Sequence, residues 1–218
     1  MSLAEPKERL TTRFPSQVEA MDKAADRRRD FEAYVVSATA ETQTRKFENW
    51  AGGKRVTLAI VFTDIVGATA TGEEIKDESM GEVRRVHFAQ SRKLIAQFRG
   101  REIKTIGDSF MVAFHSADAA LDYAQALQSK PGHVTVKIRA GIHIGAMQVE
   151  ESDLFGSTVN FAARVVGAIK DAEIWLSDRA KVDIDGLGAG RHKNLKWERH
   201  EATMRGFPGT FVLWSLVR

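Results

Sequence analysis

A chain of 218 residues with 43% hydrophobic and 28% charged residues has the length and composition of one globular domain, with or without an extension, which excludes wholesale disorder and fibrous classes. Its net charge of +3, from 32 basic and 29 acidic side chains, is too balanced to predict a nucleic-acid partner. The lack of cysteine excludes disulfides and thiolate chemistry, and the lack of a signal-peptide pattern or of an apolar run near ~20 residues predicts a cytoplasmic protein without a membrane partner.

The first predicted element is an N-terminal helical extension over residues 1–50. Its residues follow helical spacing, and the pair Gly52-Gly53 separates it from a second domain over residues 55–218. The basic run Arg27-Arg28-Arg29 is compatible with nucleic-acid binding, but acidic residues surround it, so a solvated helix face is the better interpretation. The apolar positions of the extension suggest a partner helix without defining it.

Strand and helix patterns alternate through the rest of the chain. In chain order they predict a strand at 56–65, a helix at 79–99, strands at 101–106 and 109–114, a helix at 117–128, a strand at 134–149, a helix at 156–170, and strands at 173–177 and 211–214. The dipeptide Gly107-Asp108 between two short strands predicts a hairpin. This order predicts an α+β fold with one mixed sheet.

Asp64 is the first candidate for chemistry, because it ends a buried strand that leads into a turn of small residues, Gly67 to Thr69. Such a turn exposes successive backbone N–H groups, which suit a polyphosphate. The alternative is that Asp64 merely caps the turn, which is the commoner role of an isolated aspartate at a strand end.

Asp108 is the second candidate, in the segment Lys104 to Ser109. If the predicted hairpin pairs beside the strand that ends at Asp64, the two carboxylates come together. Adjacent carboxylates are costly unless a cation neutralises them, so the pair predicts bound Mg²⁺ or Mn²⁺. For the Gly-Asp dipeptide alone, a simple turn is the competing interpretation.

Asn160 and Arg164 form the third candidate group, because their i and i+4 spacing places them on one face of a helix. We expect Val159 and Ala163 to face the sheet instead. A neutral hydrogen-bonding side chain beside a guanidinium suits a ribose next to a phosphoryl group. A capped, solvated helix face explains the same spacing equally well.

The histidines do not predict a metal site. They occur at positions 87, 115, 133, 143, 192 and 200, without a ligand spacing such as HxxxH. With cysteine also absent, the spacing of residues along the chain predicts no zinc site.

Three motifs together resemble a known family. FTDIVGAT, KTIGDSF and, after a GIHIG strand, DLFGSTVNFAAR occur in the order and spacing of the class III nucleotidyl cyclase catalytic domain. The resemblance covers residues 55–217. It implies a ferredoxin-like βαββαβ core with a mixed, mostly antiparallel sheet, to which the N-terminal helical extension is added.

The resemblance implies a two-metal site. Asp64 and Asp108 match the two acidic residues that bind two divalent cations, Mg²⁺ or Mn²⁺, and the carbonyl of Ile65 matches a further metal ligand. The turn that includes Gly67 and Thr69 matches the loop whose N–H groups hold the β and γ phosphates.

The resemblance also implies the substrate contacts. Lys104 and Asp153 match the pair that reads the purine edge, and Lys with Asp is the adenine-reading combination, whereas guanylyl members usually carry Glu and Cys-like residues. Asn160 matches the residue that orients the ribose, and Arg164 matches the one that stabilises the transition state. Arg205, in a short motif, aligns with a basic residue that holds the triphosphate.

The activity implied is that of an adenylate cyclase, in which the 3′-hydroxyl of ATP attacks its own α-phosphorus to give cyclic AMP and pyrophosphate. In the family the metal aspartates of one subunit face the base-reading and Asn/Arg residues of the other, so a homodimer with two shared sites is expected. Guanylate cyclase and a silent nucleotide-binding regulator are the alternatives. A diguanylate cyclase would need a GG(D/E)EF hairpin, which the sequence IGDS is not.

Overall fold

A long helix opens the described part of the chain. The computed structural model describes residues 15–66, 77–187 and 191–217. The chain divides into two units, Met1–Phe47 and Glu48–Arg218, and helix α1 spans Pro15–Ala51. In the first unit, the exposed Arg28 donates to Glu32 one helical turn later at 3.0 Å, as expected for a solvated helix face.

The second unit is an α+β fold built on one sheet. Its elements are β1 (Arg55–Ile65), α2 (Asp77–Gln97), β2 (Arg101–Ile106), β3 (Ser109–Phe114), α3 (Ala117–Ser129), β4 (Ile138–Glu150), β5 (Asp153–Phe155), α4 (Ser157–Ala168), β6 (Ile174–Ser177), α5 (Asp178–Leu187), β7 (Lys196–Thr203) and β8 (Thr210–Val217). No helix among the described residues has both the length and the apolar character needed to cross a membrane.

The sheet has the order β2-β3-β1-β4-β6-β8-β7, and the short β5 pairs with the end of β4. All neighbours are antiparallel except β4 and β6. The βαββαβ core and the mostly antiparallel sheet confirm the predicted fold class. Strand β1 lies inside the sheet, and its residues 58–63 are all buried, which explains its uninterrupted apolar run.

Three elements of the second unit were not predicted. Helix α5 follows β6 without a turn, and its start is capped where Ser177 Oγ accepts from the Ala180 backbone N–H at 3.2 Å. Strand β7 is rich in charged residues, and it forms an edge of the sheet in which none of its residues is fully buried. The three-residue strand β5 is too short to show a period of its own.

Strand β4 begins later than its sequence predicts. The strand expected from residue 134 starts at Ile138, because the chain turns at residues 132–135. His133 Nδ1 holds this turn through contacts with the Thr135 hydroxyl at 2.8 Å and the Thr135 backbone N–H at 3.3 Å.

Two glycines let helix α4 lie directly against strand β4. A Cβ atom on Gly141 would lie 2.4 Å from the backbone nitrogen of Val166, and one on Gly145 would lie 2.7 Å from Thr158 Oγ1. Neither distance is compatible with a side chain larger than hydrogen. These two positions therefore set the height of α4 above the sheet.

The face that α4 buries differs from the predicted one. Its buried residues are Thr158, Phe161, Ala162 and Val165. The prediction that Val159 and Ala163 face the sheet is wrong, since both are only half-buried. The helix is rotated from the expected phase because Thr158 enters the space above Gly145, where its hydroxyl donates to the Ala146 carbonyl at 2.6 Å.

His143 on β4 makes the stability of the fold depend on pH. It lies 2.7 Å from Ser177 Oγ and packs against Phe161 with ring centroids 4.7 Å apart. Burial, with a smaller contribution from Arg179, lowers the pKa of His143 from 6.5 to about 4. The unfolded chain therefore binds this proton more readily than the folded one, and the stability present above pH 6.5 is lost as the pH falls towards 4.

We expect the His143 contribution to reduce the free energy of unfolding by about 2 to 3 kcal/mol between pH 7 and pH 4. Urea unfolding of wild type and His143→Gln at both pH values measures it, because glutamine keeps a polar group beside Ser177 but does not titrate. His133→Gln, in the turn before β4, is the matched control. An equal pH dependence in wild type and His143→Gln would contradict the assignment.

Candidate active site

The two predicted metal aspartates meet at one end of the sheet. Strands β1 and β3 are antiparallel neighbours, with Thr63 opposite Phe110, so the β2–β3 turn that carries Asp108 lies beside Asp64. Burial first, and then the nearby charge of Asp64, raise the pKa of Asp108 above its usual range. The structure thus brings together two carboxylates that are 44 positions apart.

Asp64 is held by two partners. Ser109 Oγ donates to its Oδ1 atom at 2.8 Å, and the Arg139 guanidinium donates to its Oδ2 atom through Nε at 2.8 Å and through Nη2. Arg139 Nη1 also donates to the Ile169 carbonyl at 2.9 Å. The carboxylate orientation is therefore fixed by side chains from β3 and β4.

Arg139 was not among the predicted site residues. It pairs directly with Asp64 in the β1–β4 register. A charged residue among the apolar and glycine residues at the start of strand β4 was the available signal. Its significance was visible only once the strand register was known.

The aspartate pair fits a divalent cation. Asp108 Oδ2 is buried and has no hydrogen-bond partner, although Asp64 has both of its oxygens occupied. A buried carboxylate oxygen without a hydrogen-bond partner can be satisfied by a cation. Two neighbouring carboxylates provide the oxygen ligands that Mg²⁺ and Mn²⁺ prefer. Ile65 is the last residue of β1, next to this pair, whereas Gly67 and Thr69 lie outside the described residues.

Lys104 and Asp153, predicted to read the base, form an ion pair. The Lys104 Nζ and Asp153 Oδ2 atoms are 2.5 Å apart, and both side chains are partly exposed. Lys104 Nζ also lies 6.0 Å from the ring centre of Phe155, which is 45% exposed. The Leu154 backbone N–H donates to Asp153 Oδ1 at 2.8 Å and orients the carboxylate. The result is a surface donor and acceptor side by side.

Arg164 and Arg205 are also brought together. Arg164 lies on the exposed face of α4, and its Nε donates to the Arg205 carbonyl at 3.1 Å. Asn160, one turn earlier on the same helix, is likewise exposed. The described candidates therefore form three local groups: the aspartate pair, the Lys–Asp pair, and the Asn–Arg face with Arg205.

Comparison with known proteins identifies the fold family. The adenylate and guanylate cyclase catalytic domain family matches residues 53–217. An adenylate cyclase of Streptomyces coelicolor is 35% identical over 118 residues, which covers 53% of this chain and 31% of the relative. This chain therefore spans about a third of the length of that relative.

Solved structures agree on the fold. The adenylyl cyclase CyaB from P. aeruginosa has a TM-score of 0.64 at 21% identity, covering 76% of this chain and 95% of that one. The guanylate cyclase domain of RhGC from Catenaria anguillulae, in complex with GTP, has a TM-score of 0.62 at 18% identity, covering 74% and 96%. At these identities the likeness concerns the fold, which by itself does not select between the two nucleotides.

Proposed function

Because the chain belongs to the adenylate and guanylate cyclase catalytic domain family, we propose that it is an adenylate cyclase that converts ATP to 3′,5′-cyclic AMP and pyrophosphate. The observation that carries this proposal is the Lys104–Asp153 pair, a donor and an acceptor 2.5 Å apart. An ammonium donates to adenine N1 and a carboxylate accepts from the 6-amino group, whereas guanine presents its acceptor and donor in the opposite order.

Asp64, Asp108 and the Ile65 carbonyl would hold two divalent cations. When bound, the ions would make the 3′-hydroxyl of ATP more acidic and would neutralise the negative charge on the departing pyrophosphate. Hydrogen bonds from Arg139 and Ser109 fix the orientation of the Asp64 carboxylate.

The substrate contacts follow from the exposed groups. In this proposal Asn160 orients the ribose, and Arg164 stabilises the negative charge that develops on the α-phosphoryl oxygens. Arg205 binds the triphosphate, together with the backbone N–H groups of Gly67 and Thr69. The hydrogen bond from Arg164 to the Arg205 carbonyl supports a joint role, because it ties the two guanidinium-bearing segments together.

We further propose a two-fold homodimer in which each site takes its aspartate pair from one subunit and its Lys–Asp and Asn–Arg groups from the other. A two-fold arrangement generates two equivalent sites from one chain. The hydrogen bonds described above join candidates within the Lys–Asp group and within the Arg164–Arg205 group, which is consistent with this division.

Product analysis tests the nucleotide. We expect the purified protein with Mn²⁺ or Mg²⁺ to form cyclic AMP from ATP at a rate at least about tenfold above cyclic GMP formation from GTP. Lys104→Glu should remove this preference, since it replaces the donor by an acceptor, while Lys196→Glu on the exposed edge strand β7 serves as the matched control. Faster turnover of GTP would identify a guanylate cyclase, and no turnover of either would identify a silent nucleotide-binding domain.

Truncation tests whether α1 supports the dimer. The helix has 37 residues, and most of its described side chains between residues 28 and 46 are exposed, so little burial stabilises it without a partner surface. We expect deletion of residues 1–46 to weaken dimerisation at least about tenfold, which lowers specific activity on dilution and restores it at high protein concentration. The deletion keeps Trp50, whose ring packs 4.7 Å from that of His115.

Sedimentation and activity dilution series of the full and truncated chains make the comparison. Equal dimer constants and equal activities at every concentration would contradict a role for α1 in the dimer.

A further inference from the structure

A second cluster of possible ligands lies away from the aspartate pair. Asp118 and Asp122 are one turn apart on α3 and therefore share a face of that helix. His192 lies in the segment just before β7. One atom of each side chain, a carboxylate oxygen or an imidazole nitrogen, lies within 4.8 Å of the other two.

The two carboxylates divide their oxygens between two partners. We call the two Oδ2 atoms, which contact Arg191, the outer oxygens. The Arg191 guanidinium contacts Asp118 Oδ2, and its Nη1 lies 3.2 Å from Asp122 Oδ2. The two Oδ1 atoms are the inner oxygens, and they face the imidazole of His192. His192 Nε2 lies 2.8 Å from Asp118 Oδ1 and 3.4 Å from Asp122 Oδ1. Arg191 therefore leaves the inner oxygens free to bind something else.

His192 points into this space without a hydrogen bond. Its side chain is only 7% exposed, and both its Nε2 atom and Asp118 Oδ1 are buried without a hydrogen-bond partner. The two atoms are close, but they do not have hydrogen-bond geometry. Buried polar atoms in this state are costly, which indicates that a ligand satisfies them.

The charges favour a cation as that ligand. Two carboxylates and one guanidinium leave one unit of negative charge. His192 Nε2 faces the inner oxygens of both carboxylates, so one nitrogen and two oxygens are directed at the same space. A cation satisfies all three atoms, whereas the two carboxylates would repel an anion.

We propose that Asp118, Asp122 and His192 bind a divalent transition-metal ion of the Zn²⁺ class. One imidazole nitrogen and two carboxylate oxygens suit Zn²⁺ better than Mg²⁺ or Ca²⁺, which prefer oxygen ligands alone. Tetrahedral ligands ~2.0–2.1 Å from zinc are about 3.4 Å apart, which matches the His192–Asp122 spacing of 3.4 Å, while the His192–Asp118 spacing of 2.8 Å would widen by about 0.6 Å on binding. Arg191 stays on the outer oxygens and orients both carboxylates.

The ion would link the first turns of α3 to the segment that leads into the edge strand β7. Because the unfolded chain lacks the assembled site, binding stabilises the folded state. This role is independent of which nucleotide the candidate active site takes.

Zinc affinity of the full chain, measured by competition with a chromophoric chelator, tests the proposal. His192→Gln and Asp122→Asn are each expected to weaken zinc binding at least about tenfold. His133→Gln, a matched change in the turn before β4, is expected to bind like wild type. The double variant Asp64→Asn/Asp108→Asn removes the carboxylates of the candidate active site and is expected to retain this zinc site.

Two further measurements keep the test decisive. At a hundredfold excess over the wild-type Kd, zinc should raise the Tm of wild type by roughly 5 to 10 °C and that of His192→Gln by at most about half as much. Anomalous diffraction at the zinc edge from wild-type crystals should show a peak between His192 Nε2 and the two Oδ1 atoms, without any substitution. Unchanged zinc affinity in both ligand variants, loss of all zinc in the double variant, or no peak at this position would overturn the proposal.

Discussion

The Asp64→Ala and Asp108→Ala variants are each expected to lose cyclase activity by at least about a thousandfold while remaining folded, because each removes a proposed metal ligand rather than a packed side chain. Cyclic AMP formation by the purified variants measures the loss. Asp185→Ala is the matched control, since that aspartate is exposed on α5 and pairs with Lys181. Retained turnover in either aspartate variant would contradict the two-metal assignment.

The same two variants should differ in stability. Asp108 is destabilised where it stands, since burial and Asp64 raise its pKa and its Oδ2 atom has no partner, so its removal should not lower the Tm. Removal of Asp64 instead leaves the Arg139 guanidinium and the Ser109 hydroxyl without their hydrogen-bond acceptor. This should lower the free energy of unfolding by about 1–3 kcal/mol. Thermal unfolding of both variants distinguishes a ligand pair from a purely structural pair, which would lose stability in both cases.

Mixing inactive variants is expected to restore activity when the variants damage opposite halves of a shared site. Arg164→Ala alone should lose a factor of about 10² to 10³ without unfolding, because Arg164 is exposed and its contact is to the Arg205 carbonyl. After subunit exchange with Asp64→Ala, half of the dimers are mixed and each has one intact site, so about a quarter of wild-type activity should return.

A second mixture controls this experiment. Asp64→Ala with Asp108→Ala damages the same half, so no mixed dimer has an intact site and no activity should return. Differently tagged subunits show whether exchange has occurred. Exchange without recovery in the first mixture, or recovery in the second, would contradict the shared site.

Much of the fold could be predicted because its elements carry local signals. Strands β2 and β3 coincide with their predicted bounds, since the Gly107-Asp108 turn closes the hairpin directly beside the Ile106–Ser109 pair. The apolar run of β1 predicts a strand buried on both faces, and the burial of residues 58–63 confirms it. Strand β7 and helix α5 were not predicted, because the formation of an edge strand or a short helix depends more on contacts with neighbouring elements than on the residue pattern of the segment itself.

The sequence by itself determined which residues could do chemistry, because residue type and motif spacing are local properties. The tertiary structure decided which of them meet. Arg139 reaches Asp64 only through the β1–β4 register, and Lys104 reaches Asp153 across 49 positions. His192 lies 70 positions beyond Asp122 and shows no ligand spacing, yet packing places it against the face of α3. Long-range contacts of this kind come from burial and strand pairing, which spacing along the chain does not encode.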